Sequence, residues 1–158
     1  MVRKAKAEDC ARIAEIIVFG KRVAYRPIFN NDEVSFNELQ VIKLYQELQN
    51  EAEVVKDMYV YDDGIVKGVI RKKDYGDRLE ICEFYVEPFF KGNGIGRKLI
   101  QAVIDEAKVQ NKKQIFLWVI KNNFSARKFY EVNGFCASGK EQIIEGTTKL
   151  DMCYEFNL

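Results

Sequence analysis

The sequence contains no histidine. This excludes Ser-His and Cys-His nucleophiles and removes the commonest side-chain ligand of metal sites. General acid or base work is left to Glu, Asp, Lys, Tyr or Cys. Cysteine is sparse: Cys10, Cys82, Cys136 and Cys153 form no CxxC pair, so no metal site is expected. Each sits among apolar neighbours and reads as a reduced core residue. Charge of one sign is lacking too. Lys and Arg number 25 against 24 Asp and Glu, a net charge of +1, so no global field favours nucleic acid or an anionic membrane. No apolar run approaches a bilayer span. The opening "MVRKAKAEDCARIAEII" is charged within its first apolar stretch, unlike a signal peptide. A cytoplasmic location, with neither nucleic acid nor membrane as partner, is expected.

The 158 residues are 47% hydrophobic and 31% charged, which fits one domain over 1–158 with a sizeable core. "VRKA" reads as a strand. Cys10, Ile13, Ala14 and Ile17 make a helical stripe, and Val41, Leu44, Tyr45 and Leu48 a second. Between them "GKRVAYRPIFNNDEVS" reads as a loop-rich connection. "DMYVYDDGIVKGVIRKK" predicts a hairpin around Asp62-Asp63-Gly64, and "RLEICEFYVEP" a strand ended by Pro88. A helix burying Leu99, Ile100, Val103, Ile104 and Ala107 precedes "QIFLWVI", whose unbroken apolar run predicts a strand covered on both faces. "NNFSARKFYEVNGF" is a helix with both terminal signals, and the tail is two strands around Glu145-Gly146. The order βααβββαβαββ implies an α/β fold with a mixed central sheet flanked by helices.

"FFKGNGIGRKL", residues 89–99, places Gly92, Gly94 and Gly96 before a helix. Glycines there can take positive φ, and successive N–H groups at a helix start form an anion-binding nest. Arg97 and Lys98 add cations to a first turn that ordinarily prefers acids. A docked anion resolves that conflict, while a plain glycine-rich turn remains the simpler alternative. No GxxxxGK[ST] string exists, and Arg97 stands where a GxGxxG fingerprint needs glycine. The next strand ends in Lys121 rather than a ribose-binding acid.

"FYVEPFFKGNGIGRKLI" resembles the acetyl-CoA-binding motif of the GNAT (GCN5-related N-acetyltransferase) superfamily. Val86 and Pro88 match its V-x-P, and Lys91, Gly94 and Gly96 its [Q/R]-x-x-G-x-[G/A], with Lys91 departing from the usual Gln or Arg. A second block, "NNFSARKFYEVNGF", is similar to N-x-x-A-x-x-[F/L]-Y-x-x-x-G-F. It places Asn123, Ala126, Phe129, Tyr130, Gly134 and Phe135 on the motif. The resemblance is strong over 79–136 and weak over 1–60.

The resemblance implies an N-acetyltransferase that moves the acetyl group of acetyl-CoA to a primary amine of a small molecule or peptide, by direct attack in a ternary complex. The backbone of Lys91, Gly92, Asn93, Gly94, Ile95, Gly96 and Arg97 would hold the pyrophosphate. The pantetheine arm would lie along Phe84, Tyr85 and Val86 like an added strand. A backbone N–H near Tyr85 or Val86 would polarise the thioester carbonyl. Tyr130 would be the general acid: an ordinary tyrosine, with a pKa of about 10, is protonated at neutral pH. Glu83 is the candidate base, with Glu80 or a water chain as alternatives; regular alternation puts 80 and 83 on opposite faces. Asn123 would contact pantetheine or cap its helix. A non-catalytic CoA-binding or regulatory protein, or an enzyme using another acyl-CoA, stays open. The acceptor would meet "AYRPIFNNDE", with Tyr25, Arg26, Phe29, Asp32 and Glu33. The C-terminal strands are expected at a sheet edge, and "TTKLDMCYEF" alternates enough to pair with another chain, which leaves a homodimer open.

Overall fold

In the computed structural model, which describes Met1–Leu158, the chain opens with strand β1 (Val2–Lys4) and a 3₁₀ turn (Ala7–Asp9). Helix α1 (Cys10–Phe29), a π-helical segment (Glu33–Glu38), α2 (Val41–Asn50) and the short α3 (Ala52–Lys56) follow. Strands β2 (Met58–Asp62), β3 (Val66–Asp74) and β4 (Arg78–Val86) come next, then a 3₁₀ turn (Pro88–Phe90). Helix α4 (Ile95–Val109), β5 (Gln114–Ile120), α5 (Phe124–Val132), β6 (Cys136–Ile143) and β7 (Leu150–Asn157) complete the chain. The strands form one seven-stranded sheet in the order β1-β2-β3-β4-β5-β7-β6. It is mixed: β4 and β5 run parallel, whereas β5, β7 and β6 pair antiparallel. Apart from α3 and the π-helical segment, this is the element order read from the sequence.

Two compact units build the chain, one of Met1–Lys72 with Glu83–Ala102 and one of Lys73–Cys82 with Val103–Leu158. In the first, Cys10, Ile13, Ala14 and Ile17 of α1 pack with Leu48, Val55, Met58, Val60 and Val69. Each buried aliphatic of this kind contributes about 1.5–3 kcal/mol relative to exposure. Gly68 of β3 lets the start of α4 come close: a Cβ there would lie 2.9 Å from Leu99 Cδ1. In the second unit Leu79, Ile81, Val103, Ile104, Ala107, Ile115, Leu117, Phe135 and Tyr154 are buried.

Four local expectations are corrected. The segment 20–35 is mostly helical, because α1 continues through Gly20 and Pro27 to Phe29. Pro27 lies in the last turn, where its missing N–H removes a single helical bond. Asn30 then ends the helix in the left-handed region (φ 50°), its N–H donating to Arg26 O at 2.8 Å. Strand β5 is not covered on both faces throughout: Phe116 and Trp118 are only half-buried. Of the two C-terminal strands expected at an edge, β7, which carries most of "TTKLDMCYEF", is interior, between β5 and β6. The free edge on that side is β6, where the pairing with β7 is irregular between Ala137 and Glu141, around Gly139 at φ 84°. Finally, Cys10 and Cys153 are buried, but Cys82 and Cys136 are exposed.

Candidate functional site

The parallel ladder between β4 and β5 runs from Arg78–Gln114 to Ile81–Leu117 and ends there, although β5 continues in register with β7 to Ile120–Asp151. Burial along β4 changes at the same point. Leu79 and Ile81 are buried between half-buried neighbours, Cys82 is exposed, and Glu83, Phe84, Tyr85 and Val86 are all half-buried. The alternation expected of a strand in a regular ladder is lost where the resemblance places the pantetheine arm. Glu80 and Glu83 fall on either side of the change, Glu80 in the second unit and Glu83 in the first.

The exit of β4 is pinned. Glu87 is buried and pairs with Arg12 of α1 (Oε2 to Nη2, 2.9 Å), while its N–H donates to Lys67 O. Arg12 also donates to Val66 O at 3.0 Å, and Lys67 Nζ lies 4.6 Å from the centroid of the Phe90 ring. The glycine loop therefore leaves a fixed point. Gly92 (φ 83°) and Gly94 (φ 72°) occupy the left-handed region, and a Cβ on either would meet nothing within 4 Å. Backbone conformation, not crowding, demands glycine there, and the space in front of the loop is open. Gly96 instead sits within the first turn of α4. The N–H groups of Gly92, Asn93, Gly94, Ile95, Gly96 and Arg97 donate to no backbone carbonyl; the first helical bond is Lys98 N–H to Gly94 O. Lys91 and Arg97 are exposed and form no salt bridge, and no acid lies in the first turn of α4. Lys98 turns to the Tyr61 ring at 5.1 Å.

Also in the first unit, Glu83 meets a residue that sequence reading missed. Lys21 Nζ donates to Glu83 Oε1 at 3.1 Å and lies 6.0 Å from the centroid of the Tyr85 ring. The hydroxyls of Tyr25 and Tyr85 are 2.7 Å apart. A Cβ on Gly20 would lie 2.6 Å from Tyr85 Cδ1, so this helix glycine exists to admit the Tyr85 ring. Gly20→Ala should therefore destabilise the fold by about 1–2 kcal/mol, the overpacking cost less the gain in helix propensity. A urea midpoint unchanged or raised would show that the ring moves aside freely. Of the other acceptor candidates, Arg26 and Asp32 satisfy each other at 2.7 Å, Glu33 accepts from Asn37, and Phe29 packs edge-on to Tyr25. Reading 20–35 as a loop hides Lys21; a continuous helix places 21 and 25 on one face.

In the second unit, Asn123 is a side-chain N-cap of α5, its Oδ1 accepting from Ala126 N–H at 3.2 Å. Tyr130 is buried, with edge-on ring contacts to Phe129 (5.6 Å) and Phe135 (5.9 Å) and a tilted one to Tyr154 (6.4 Å). Tyr154 holds the helix that carries it: its hydroxyl donates to Glu131 at 2.7 Å and accepts from Arg127 Nε at 3.1 Å. Burial pushes the Tyr154 phenol above its ordinary pKa, so it remains a donor.

Comparison with known proteins gives a concordant result. Residues 22–135 match the acetyltransferase (GNAT) family. The L-amino acid N-acyltransferase MnaT of Escherichia coli is 26% identical over 154 residues, which cover 88% of this chain and 81% of that protein. The spermine/spermidine N(1)-acetyltransferase of Bacillus subtilis is 26% identical over 119 residues, 68% of this chain and 78% of that one. Two other relatives match more strongly but locally, at 45% over 51 residues and 35% over 71; those stretches span only about a third of their own length, 35% and 30%. The crystal structure of PaiA N-acetyltransferase from Thermoplasma acidophilum, in complex with coenzyme A, superimposes with a TM-score of 0.80 at 21% identity, covering 100% of this chain and 98% of that one. At that identity the likeness speaks to the fold.

Proposed function

The chain belongs to the acetyltransferase (GNAT) family, and from that premise we propose that residues 1–158 act as one N-acetyltransferase domain, moving the acetyl group of acetyl-CoA to a primary amine of a small molecule or peptide. The observation that carries the reading is the run of six N–H groups, Gly92 to Arg97, with no backbone acceptor, beside the unpaired Arg97. Amides left without a backbone acceptor at a helix start suit a pyrophosphate. The residues present thus fit coenzyme A: Lys91 to Arg97 would hold its pyrophosphate and Phe84 to Val86 its pantetheine arm, with Asn123 capping α5. When bound, acetyl-CoA supplies an activated acetyl thioester.

The chain's own groups then have distinct tasks. A backbone N–H at Tyr85 or Val86 is the donor that stabilises negative charge on the carbonyl oxygen. As the amine nitrogen bonds to the carbonyl carbon and the carbon–sulfur bond breaks, one proton must leave the nitrogen and one must reach the sulfur. Tyr130 is the donor to sulfur. Glu83 is the acceptor from nitrogen, directly or through water. Oε1 of Glu83 is engaged by Lys21, while Oε2 accepts no hydrogen bond from the chain and is the oxygen available for that work. Names among the relatives point to amines of two kinds, amino acids and polyamines.

The cytoplasm is the compartment of this reading, supported by four free cysteines; no helix is long and apolar enough to cross a membrane. A homodimer, if formed through a sheet edge, would use β6. The test is calorimetric titration with acetyl-CoA, with NAD and ATP as controls. Selective binding of acetyl-CoA with thiol release in the presence of amines is expected. Binding without turnover of any amine would favour a CoA-binding or regulatory protein. Selective binding of a longer acyl-CoA would change the donor, and binding of no acyl-CoA would overturn the reading.

A further inference from the structure

The Lys21–Glu83 pair has no evident structural task. Its side chains are 26% and 23% exposed, and for a pair this far withdrawn from water the cost of desolvation offsets much of the attraction, so its net contribution to stability is small. It is nevertheless held in place. Lys21 sits one residue after the glycine that admits the Tyr85 ring, and Glu83 sits two residues before that tyrosine on β4. The pair stands at the start of the half-buried stretch Glu83–Val86, where the reading above places the reacting carbonyl.

The free valences of the pair are complementary. Lys21 Nζ gives one hydrogen bond, to Glu83 Oε1, and keeps two N–H groups for other acceptors. Glu83 Oε2 takes none from the chain. A cation and an anion 3.1 Å apart, each with unused capacity, present a dipole rather than a net charge. A molecule with an ammonium and a carboxylate on one carbon presents the opposite dipole at similar spacing. Its amine can meet Glu83 Oε2 while its carboxylate meets Lys21, completing a charge-alternating quartet with charge-assisted hydrogen bonds at both ends. A polyamine gains the Glu83 contact but sets an ammonium against Lys21 with nothing to offset the repulsion.

We propose that Lys21 is a specificity-determining residue that binds the carboxylate of the acceptor, and that the acceptor class is α-amino acids rather than polyamines. This rests on the acetyltransferase reading above. The same amine-binding carboxylate, Glu83, thereby serves both recognition and proton removal.

The experiment compares wild type, Lys21→Gln and Lys21→Arg on the twenty L-amino acids, the carboxamide of the best of them, and spermidine. In wild type, kcat/KM for the best amino acid should exceed that for its carboxamide by about tenfold or more, chiefly through KM. Lys21→Gln should erase that ratio by lowering the amino-acid value about tenfold more than the carboxamide value, and Lys21→Arg should restore most of it. A second readout needs no turnover: calorimetric titration of the same amino acid into protein saturated with coenzyme A should show about tenfold weaker binding in Lys21→Gln. A merely structural Lys21 would shift acid and amide together, and that result would overturn the proposal. So would a wild type that prefers spermidine, or one that turns over no amino acid while still binding acetyl-CoA; these outcomes leave the acetyltransferase reading standing. Failure to bind acetyl-CoA would fell both.

Discussion

Replacing Gly94 by valine is expected to weaken acetyl-CoA binding by at least about a hundredfold while leaving the chain folded. Two effects act at this position. Gly94 has φ 72°, where a β-branched residue is strained by roughly 1–3 kcal/mol. A Cβ there points into space with no protein atom within 4 Å, so its branches would occupy the volume from which a ligand reaches the amides. Strain alone would register as lost stability; obstruction would register as lost affinity. Gly64, in the β2–β3 turn, separates the two. It also has positive φ (104°), a Cβ on it would likewise meet nothing within 4 Å, and its N–H donates to Asp62 Oδ1 within the turn itself. Gly64→Val should therefore cost a comparable amount of stability and leave acetyl-CoA affinity within about twofold. Thermal melts and calorimetry on both variants decide the matter. If both bind acetyl-CoA as wild type does, the glycine loop does not cradle the cofactor, and its open amides need another explanation.

The glycine loop is legible in the sequence because what it requires is local. Positive φ at Gly92 and Gly94 and the start of α4 depend on residues within a few positions of one another. The stripe Leu99, Ile100, Val103, Ile104 and Ala107 is legible for the same reason, and all five are buried. Helix α1 beyond Gly20 is not. Glycine and proline are helix breakers on local grounds, but Gly20 answers to the Tyr85 ring, 65 residues downstream, a contact that no local pattern announces. Missing that helix conceals Lys21, and the Lys21–Glu83 pair joins positions 62 apart. The place of β7 inside the sheet is hidden for a related reason: strand order is decided by long-range pairing, and an alternating strand reads the same at an edge or in the interior. Cys82 is exposed against expectation because it stands where the alternation of β4 gives way.

Tyr130→Phe should lower kcat by about 10²- to 10³-fold, with acetyl-CoA affinity within about twofold of wild type. The substitution is nearly isosteric, and the ring keeps its contacts with Phe129, Phe135 and Tyr154. The ring of phenylalanine can therefore take the same position. What is removed is a proton donor, and with no histidine in the chain the replacement donors are few. If the hydroxyl protonates the departing thiolate, its contribution exists only as the carbon–sulfur bond breaks. Then kcat and kcat/KM must fall together, with KM unchanged. A hundredfold loss corresponds to about 2.7 kcal/mol of transition-state stabilisation. A positioning effect would look different. Tyr154 clamps α5 through Glu131 and Arg127, so Tyr154→Phe perturbs the helix while leaving the Tyr130 hydroxyl in the chain. A small, mixed change in kcat and KM in that variant, beside a large pure kcat loss in Tyr130→Phe, would assign the proton to Tyr130. Unchanged turnover in Tyr130→Phe would instead leave its ring as packing for α5 and return the search for the acid to water at the sulfur.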